Sequence, residues 1–288
     1  GVVSEVASIQ ENEAVDKTQI LQLYQCRASS WLEYPITYRQ AEMATLAHWV
    51  EIGASGMVLG LAGSGVSTLL RYFSNRPDAI ATYLSDRQDI IPIWVELQPM
   101  SEPLLATFYR LCIRSVLESV SRMTTLFSTD LMHTCQKSLS DTDAFMLQTT
   151  FFAALTYCQS RQLRLVFVID RLDLLSDDFQ ITIGNILRSM RDGFRETMLY
   201  LLGMRITPAY LDNIFMLGDF GRLLSTHTYI VGSLSDVDSR FVICKRTSGS
   251  SSQPSESDIE QFLLLSGGYP TLLKAEIRWR LTCTTTLP

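Results

Sequence analysis

The sequence predicts an α/β fold: a mainly parallel sheet flanked by helices, followed by a small C-terminal helical lid. Three observations carry that prediction. Short apolar runs alternate with helically spaced segments over most of the chain, the pattern of strand–helix–strand units. One run, Met57-Val58-Leu59, passes into the glycine-rich turn Gly60-Leu61-Ala62-Gly63-Ser64-Gly65-Val66-Ser67 and then into helical spacing. Another, Leu165-Val166-Phe167-Val168-Ile169, ends in Asp170; five apolar residues in a row suit a strand covered on both faces.

Each element follows from its local pattern. Residues 1–35 start polar and acidic and hold a short helical stretch at Ile20–Tyr24, so they read as a linker or N-terminal arm. Over 38–52, Met43, Leu46, Ala47 and Val50 share one helical face. The helix after the glycine-rich turn runs to about Phe73, where Asn75-Arg76-Pro77-Asp78 stops it. Ile90–Leu97 is the next strand, with Pro92 near its start because proline cannot donate to a ladder. A long amphipathic helix is expected from 103 to 122, a mobile loop over the polar stretch 124–142, and helix again over 143–160. After the Asp170 strand come a helix over 177–192, a strand ending in Leu199–Arg205, and a short strand at 228–231. Residues 248–255 are low-complexity and read as a flexible connection. Ser257-Asp258 is expected to cap a helix through Leu265, and Ser266-Gly267-Gly268-Tyr269-Pro270 separates it from a last helix. The expected division is an arm at 1–35, an α/β core at 36–235 and a lid at 236–288.

The turn at 60–67 matches the phosphate-binding pattern G-x-x-x-x-G-K-[ST] at every fixed position except lysine, where Val66 stands. Glycines at 60, 63 and 65 let the backbone wrap an anion. The N–H groups at the helix start, from Ser64 to Thr68, then face phosphate, and Ser67 supplies a hydroxyl for Mg²⁺. Valine removes a charge-assisted hydrogen bond worth roughly 1.5–3 kcal/mol, and transition-state stabilisation suffers more than binding. The alternative is a glycine-rich turn that binds nothing. Asp170 is suited to hold Mg²⁺ through water. Asp173 is suited either to orient an attacking water or to serve as a helix cap or solvated carboxylate. Arg205, at a strand's C-terminal end where open α/β sheets bind ligands, reads either as a γ-phosphate sensor or as a surface arginine. Arg71 and Lys274 read either as replacement cations or as solvated charges, and Arg188, Arg191 and Arg195 either as an ordinary charged helix end or, by likeness to oligomeric ATPases, as an arginine finger sent to a neighbour.

A net charge of −6 and a pI near 5.2 argue against a basic field for nucleic acid, so nucleic acid is not expected as a partner. The sequence has no eighteen-residue apolar span and no N-terminal signal pattern, which leads to the expectation of a cytoplasmic protein without a membrane partner. The six cysteines form no C-x-x-C pair; Cys112 and Cys158 lie in apolar runs and read as core residues.

Taken together, the phosphate loop, Asp170-Arg171-Leu172-Asp173, the strand ending in Arg205 and the Gly268-Tyr269-Pro270 segment between two helices resemble the STAND class of signal-transduction P-loop ATPases, relatives of the AAA+ and origin-recognition ATPases. The resemblance covers residues 36 to 280. It implies a P-loop NTPase core that binds ATP or ADP with Mg²⁺. Gly60, Gly63, Gly65, Ser67 and Thr68 match its phosphate loop, and Asp170 and Asp173 its acids. Arg205 matches its first sensor, and Pro270 the lid proline that reports nucleotide state. Arg39, in Tyr38-Arg39-Gln40-Ala41-Glu42, matches the motif beside the base, with Tyr38 in place of a glycine. Such proteins are switches whose partners are fused effector or sensor domains, other proteins or copies of themselves. Val66 implies weak or absent hydrolysis, or a pseudo-ATPase scaffold that binds no nucleotide.

Overall fold

A computed structural model of the chain describes residues 31–85, 89–97, 105–120, 128–175, 177–205, 218–249 and 253–284. The stretch at Ile20–Tyr24 lies outside the described residues. Helix α1 (Gln40–Glu51) precedes strand β1 (Gly56–Gly60), helix α2 (Val66–Asn75) and helix α3 (Pro77–Tyr83). Strand β2 (Ile90–Glu96) is followed by α4 (Leu105–Val120), α5 (Thr129–Ser138) and α6 (Ala144–Ser160). Strand β3 (Arg164–Asp170), α7 (Asp177–Gly193), β4 (Met198–Arg205), α8 (Gly218–Ser225) and β5 (Thr228–Ile230) complete the α/β part. Three helices follow: α9 (Asp236–Thr247), α10 (Glu256–Ser266) and α11 (Pro270–Thr284).

The five strands are all parallel, in the order β2-β3-β4-β1-β5. The strand carrying the glycine-rich loop therefore does not pair with the strand carrying Asp170; β4 lies between them. Residues of β3 alternate between two cores, as a pleated strand requires. Leu165, Phe167 and Ile169 face the layer built on α4, α6 and α7, while Val166 and Val168 face α1 and α2. All five are fully buried, each stabilising the fold by roughly 1.5–3 kcal/mol. Pro92 is tolerated within β2 because β2 is an edge strand that pairs only with β3.

Two local expectations are corrected. The stretch expected as a mobile loop at 124–142 contains α5, capped by Ser128, whose hydroxyl accepts from Leu131 N–H at 3.3 Å. Cys135 is buried from this helix, and Leu131 and Met132 pack against the core beside it; a narrow apolar stripe in a polar segment was enough to dock it. In the second correction, Ser255 rather than Ser257 caps α10, in a capping box closed by Asp258. Gln253 also turns back, its amide donating to the Thr247 carbonyl at 3.0 Å. Cys112 and Cys158 are buried, and burial pushes the Cys158 thiol up to about 12. Among the described residues no helix is long and apolar enough to cross a membrane.

Candidate nucleotide-binding site

Parallel pairing brings the C-terminal strand ends to one edge. Glu96 is opposite Asp170, Asp170 opposite Gly203, and Gly60 opposite Arg205. The glycine-rich loop leaves this edge and closes into α2. Gly63 and Gly65 have φ of +87° and +98°, the left-handed region that side chains resist.

Three successive carbonyls of the loop are held from outside. Tyr269 Oη donates to the Ala62 carbonyl at 2.8 Å, and Thr271 Oγ1 to the Gly63 carbonyl at 3.0 Å. Arg39 Nη2 donates to the Ser64 carbonyl at 2.9 Å. In a planar trans peptide the N–H points opposite to the carbonyl. Fixing these three oxygens therefore turns the N–H groups of Gly63, Ser64 and Gly65 the other way. Ser64 N–H closes a turn on Leu61 at 3.1 Å; the N–H groups of Gly63 and Gly65, with the start of α2, form the anion-facing set.

Val66 is buried at 5% exposure. One of its methyl groups lies 2.7 Å from where a Cβ on Gly60 would stand, and the other 3.4 Å from a Cβ on Gly203. The side chain packs onto the ends of β1 and β4, beneath the loop. The Ser64 hydroxyl is buried there without a hydrogen-bond partner.

Asp170 is 3% exposed, and its Oδ1 has no partner. Burial pushes its carboxyl above the ordinary range, against the pull of a hydrogen bond from Ser67 and of the Arg171 and Arg71 charges. A buried carboxylate oxygen with nothing to accept from, beside a hydroxyl at a helix start, fits a hydrated Mg²⁺. Ser67 and Asp170 are the residues that would hold it. Arg71 is committed elsewhere: it pairs with Glu96 at 2.6 Å and lies 5.3 Å over the Trp94 ring.

Asp173 stands in a short 3₁₀ turn, Leu172–Leu174, after the left-handed residue Arg171 (φ +64°). It accepts from Arg171 Nε at 3.3 Å and from Arg205 N–H at 3.2 Å. It thus ties the ends of β3 and β4 together and, at 12% exposure, is not a solvated loop carboxylate. Arg205 is exposed beside Gly60. Arg188, suggested as a finger, pairs with Asp219 at 3.2 Å in its own chain.

Among the described residues Arg39 is the largest fully buried side chain. It takes a left-handed φ of +50°, donates its backbone N–H to Asp238 at 3.2 Å, and pairs with Glu42 at 2.6 Å. Strain at a non-glycine residue persists only where the surroundings over-determine it; here α9, α1 and the loop do so. Next to it opens a cavity of about 280 Å³. Tyr34 and Tyr38 line it from the chain before α1, Gly65 and Thr68 from the loop and α2, and Pro270 and Lys274 from α11. Ring contacts tie Tyr34, Tyr38 and Tyr72 into one cluster.

Sequence reasoning missed Tyr269, Thr271 and Asp238. Tyr269 lies within Gly268-Tyr269-Pro270 and Asp238 three residues after Ser235, the N-cap of α9, and these neighbours were their only signal. The reach of Thr271 to Gly63, 208 positions away, has no sequence signal.

No family model matches the chain, and no curated protein matches it in sequence. Solved structures do. The chain shares its fold with Cdc6p and with the ORC2 protein. Cdc6p from Pyrobaculum aerophilum aligns with a TM-score of 0.52 at 11% identity, over 91% of this chain and 63% of that one. The Aeropyrum pernix ORC2 protein in its ADPNP–ADP complexes aligns at 0.52 and 14% identity, over 86% and 63%. The A. pernix ORC1 protein in complex with DNA aligns at 0.49 and 15%, over 82% and 57%. This chain spans 57–63% of the length of these neighbours, and at such identities the likeness is one of fold. One expectation is corrected: net acidity argued against nucleic acid, yet a chain of Orc1 type is solved on DNA. Net charge sums the whole chain, whereas binding depends on local patches, so the sum excludes nothing here.

Proposed function

We propose that this chain is a nucleotide-binding switch or assembly module of the STAND ATPase type, with weak or absent hydrolysis. The observation that carries the reading is the outward fixing of the Ala62, Gly63 and Ser64 carbonyls by Tyr269, Thr271 and Arg39. It leaves backbone N–H groups turned to the loop's hollow, the arrangement a phosphate needs. The same contacts join the loop to α11, so a change in the loop is felt directly by the lid. Ser67 and Asp170 supply a place for Mg²⁺. Val66 in the lysine position, and Arg171 after Asp170 where a catalytic carboxylate would serve, leave little to stabilise a hydrolytic transition state. Asp173 and Arg205 are assigned to positioning at the γ-phosphate side. Arg39 is assigned to the base side, and Pro270 to reporting nucleotide state to the rest of the molecule.

Denaturing the purified chain and chromatographing what it releases tests the reading, together with calorimetric titration of ATP and ADP with and without Mg²⁺. Bound or titrating nucleotide is expected; no heat at millimolar ligand overturns the reading. DNA belongs in the same titrations, because net charge does not exclude it.

A second reading is favoured by Val66. Its burial against Gly60 and Gly203 suits a pseudo-ATPase scaffold whose loop is retained for its grip on the lid. Such a scaffold binds partners with no dependence on nucleotide, which pull-downs with and without ATP distinguish.

A further inference from the structure

At the sheet edge that carries the phosphate loop, two neighbouring strands end in a carboxylate. Glu96 closes β2 and Asp170 closes β3, and the two are paired in register, one strand spacing of about 4.8 Å apart. Residues opposite one another in a parallel pair leave the sheet on the same face. For β3 that face is the one under α2, since Val166 and Val168 lie in the core built on α1 and α2. For β2 it is the same face, since Ile90 lies in that core and Trp94 packs against it. Helix α2 meets both strand ends with Ser67 and Arg71, four residues apart and so on one face of the helix. Ser67 reaches Asp170. Arg71 reaches Glu96 at 2.6 Å and lies 5.3 Å over the Trp94 ring.

The two acids differ in kind. Asp170 is 3% exposed and its Oδ1 is unpartnered, which suits a held ligand. The Glu96 side chain is 38% exposed, and Arg71 43%, so Glu96 is open to water. An ion pair this exposed contributes about 0–1 kcal/mol, so Glu96 leaves it at little cost. Asp173, by contrast, is engaged by Arg171 Nε and by the Arg205 N–H, and Arg171 itself offers no carboxylate beside Asp170. Transfer of a phosphoryl group to water is helped by a group that orients the water and accepts its proton. We propose that Glu96, on the strand next to the Mg²⁺ acid, is that group in this chain, and that Arg71 is its positioning residue. The water oxygen bonds to the γ-phosphorus and its proton passes to the Glu96 carboxylate. The bond from that phosphorus to the bridging oxygen breaks, and the nucleoside diphosphate leaves with the electron pair. The inference rests on the nucleotide reading of the same site and, within it, selects slow over absent hydrolysis; Val66 in the lysine position keeps the step slow.

Single-turnover phosphate release from MgATP, with calorimetric affinity measured beside it, tests this on the full chain. The wild type is expected to release phosphate slowly. Glu96→Gln is expected to lower that rate about a hundredfold or more with affinity unchanged, because a proton acceptor acts in the transition state rather than in binding. Its melting temperature should barely move, since the pair it breaks is exposed. Glu96→Asp draws the carboxylate back by one methylene and is expected to lower the rate about tenfold or more; it carries the test should Glu96→Gln lose its fold. Arg71→Gln is expected to lower the rate several-fold at unchanged affinity, and Arg71→Lys to restore most of it. Release by Glu96→Gln or Glu96→Asp at the wild-type rate overturns the inference, as does a wild type that binds MgATP and releases no phosphate; in each case the nucleotide reading stands. If MgATP does not bind, the nucleotide reading falls and the inference with it.

Discussion

Thr271 Oγ1 donates to the carbonyl of Gly63 at 3.0 Å, joining the first turn of the last helix to the apex of the phosphate loop. The approach is close enough that a Cβ on Gly63 would overlap the Thr271 side chain. Lid and loop are thus in contact at a loop position where a left-handed backbone and a missing side chain are both required.

Thr271→Val keeps the shape and removes the donor. The expected cost is about 1 kcal/mol, a fall of roughly 2–4 °C in melting temperature for a domain of this size. Hydrogen exchange should rise in α11 and in the loop together. Exchange rising in α11 alone would mean that the two are not coupled through this bond.

Gly63→Ala tests the same approach from the other side. The φ of +87° strains any side chain and the new methyl meets Thr271, so a loss of about 1–3 kcal/mol is expected. Combining it with Thr271→Ala should recover part of that loss, because the steric component disappears while the backbone strain remains. A chemical denaturation cycle measures the recovery.

Arg39→Met removes a fully buried guanidinium that holds the Ser64 carbonyl and Glu42. Loss of its charge-assisted bonds, with Glu42 left unpaired at 13% exposure, is expected to destabilise the chain by about 2–4 kcal/mol. Denaturant unfolding would show this. A change within experimental error would mean that the loop's outer wall is not held by this residue.

Val66→Lys is expected to tighten MgATP binding about ten- to a hundredfold, the worth of one charge-assisted hydrogen bond. Calorimetry that finds equal affinity would mean that the site is remodelled beyond this one side chain.

Asp170 gives the pH dependence. Its carboxyl is raised by burial, so the folded chain holds this proton at pH values where the unfolded chain has released it. Stability from this group is therefore present at low pH and lost as pH rises through the raised value. Asp170→Asn is expected to raise the melting temperature of the ligand-free chain near neutral pH. Mg²⁺-dependent nucleotide binding runs the other way: it needs the carboxylate, so it should weaken as pH falls through the same range, and Asp170→Asn should remove its Mg²⁺ dependence. Titrations from acid to neutral pH, with and without Mg²⁺, check both signs.

Much of the fold was legible because its signals are local. The apolar run before Asp170 could only be a strand buried on both faces, and β3 is one. The glycines at 63 and 65 announced left-handed backbone, which both adopt. The stretch at 124–142 misled because its apolar stripe is short and interrupted by polar residues, so α5 is held by docking rather than by its own periodicity. Asp173 showed the limit for a site residue. Its carboxylate could be seen to lie near the Asp170 strand, but its partners, the Arg171 side chain and the Arg205 N–H, depend on β4 pairing beside β3.

By itself the sequence determined the parallel α/β class, the course of the phosphate loop, the buried acid at the end of β3 and the absence of the loop lysine. These follow from backbone preference and from which residues avoid water, properties of short stretches of chain. The tertiary structure alone decided that β4 separates β1 from β3, that Tyr269 and Thr271 grip the loop, and that Arg39, Lys245, Arg246 and Lys274 meet in one cavity without an acid. Those outcomes depend on strand order and on how helices far apart in sequence pack across the sheet edge, where a side chain finds its partner by position in space rather than by spacing along the chain.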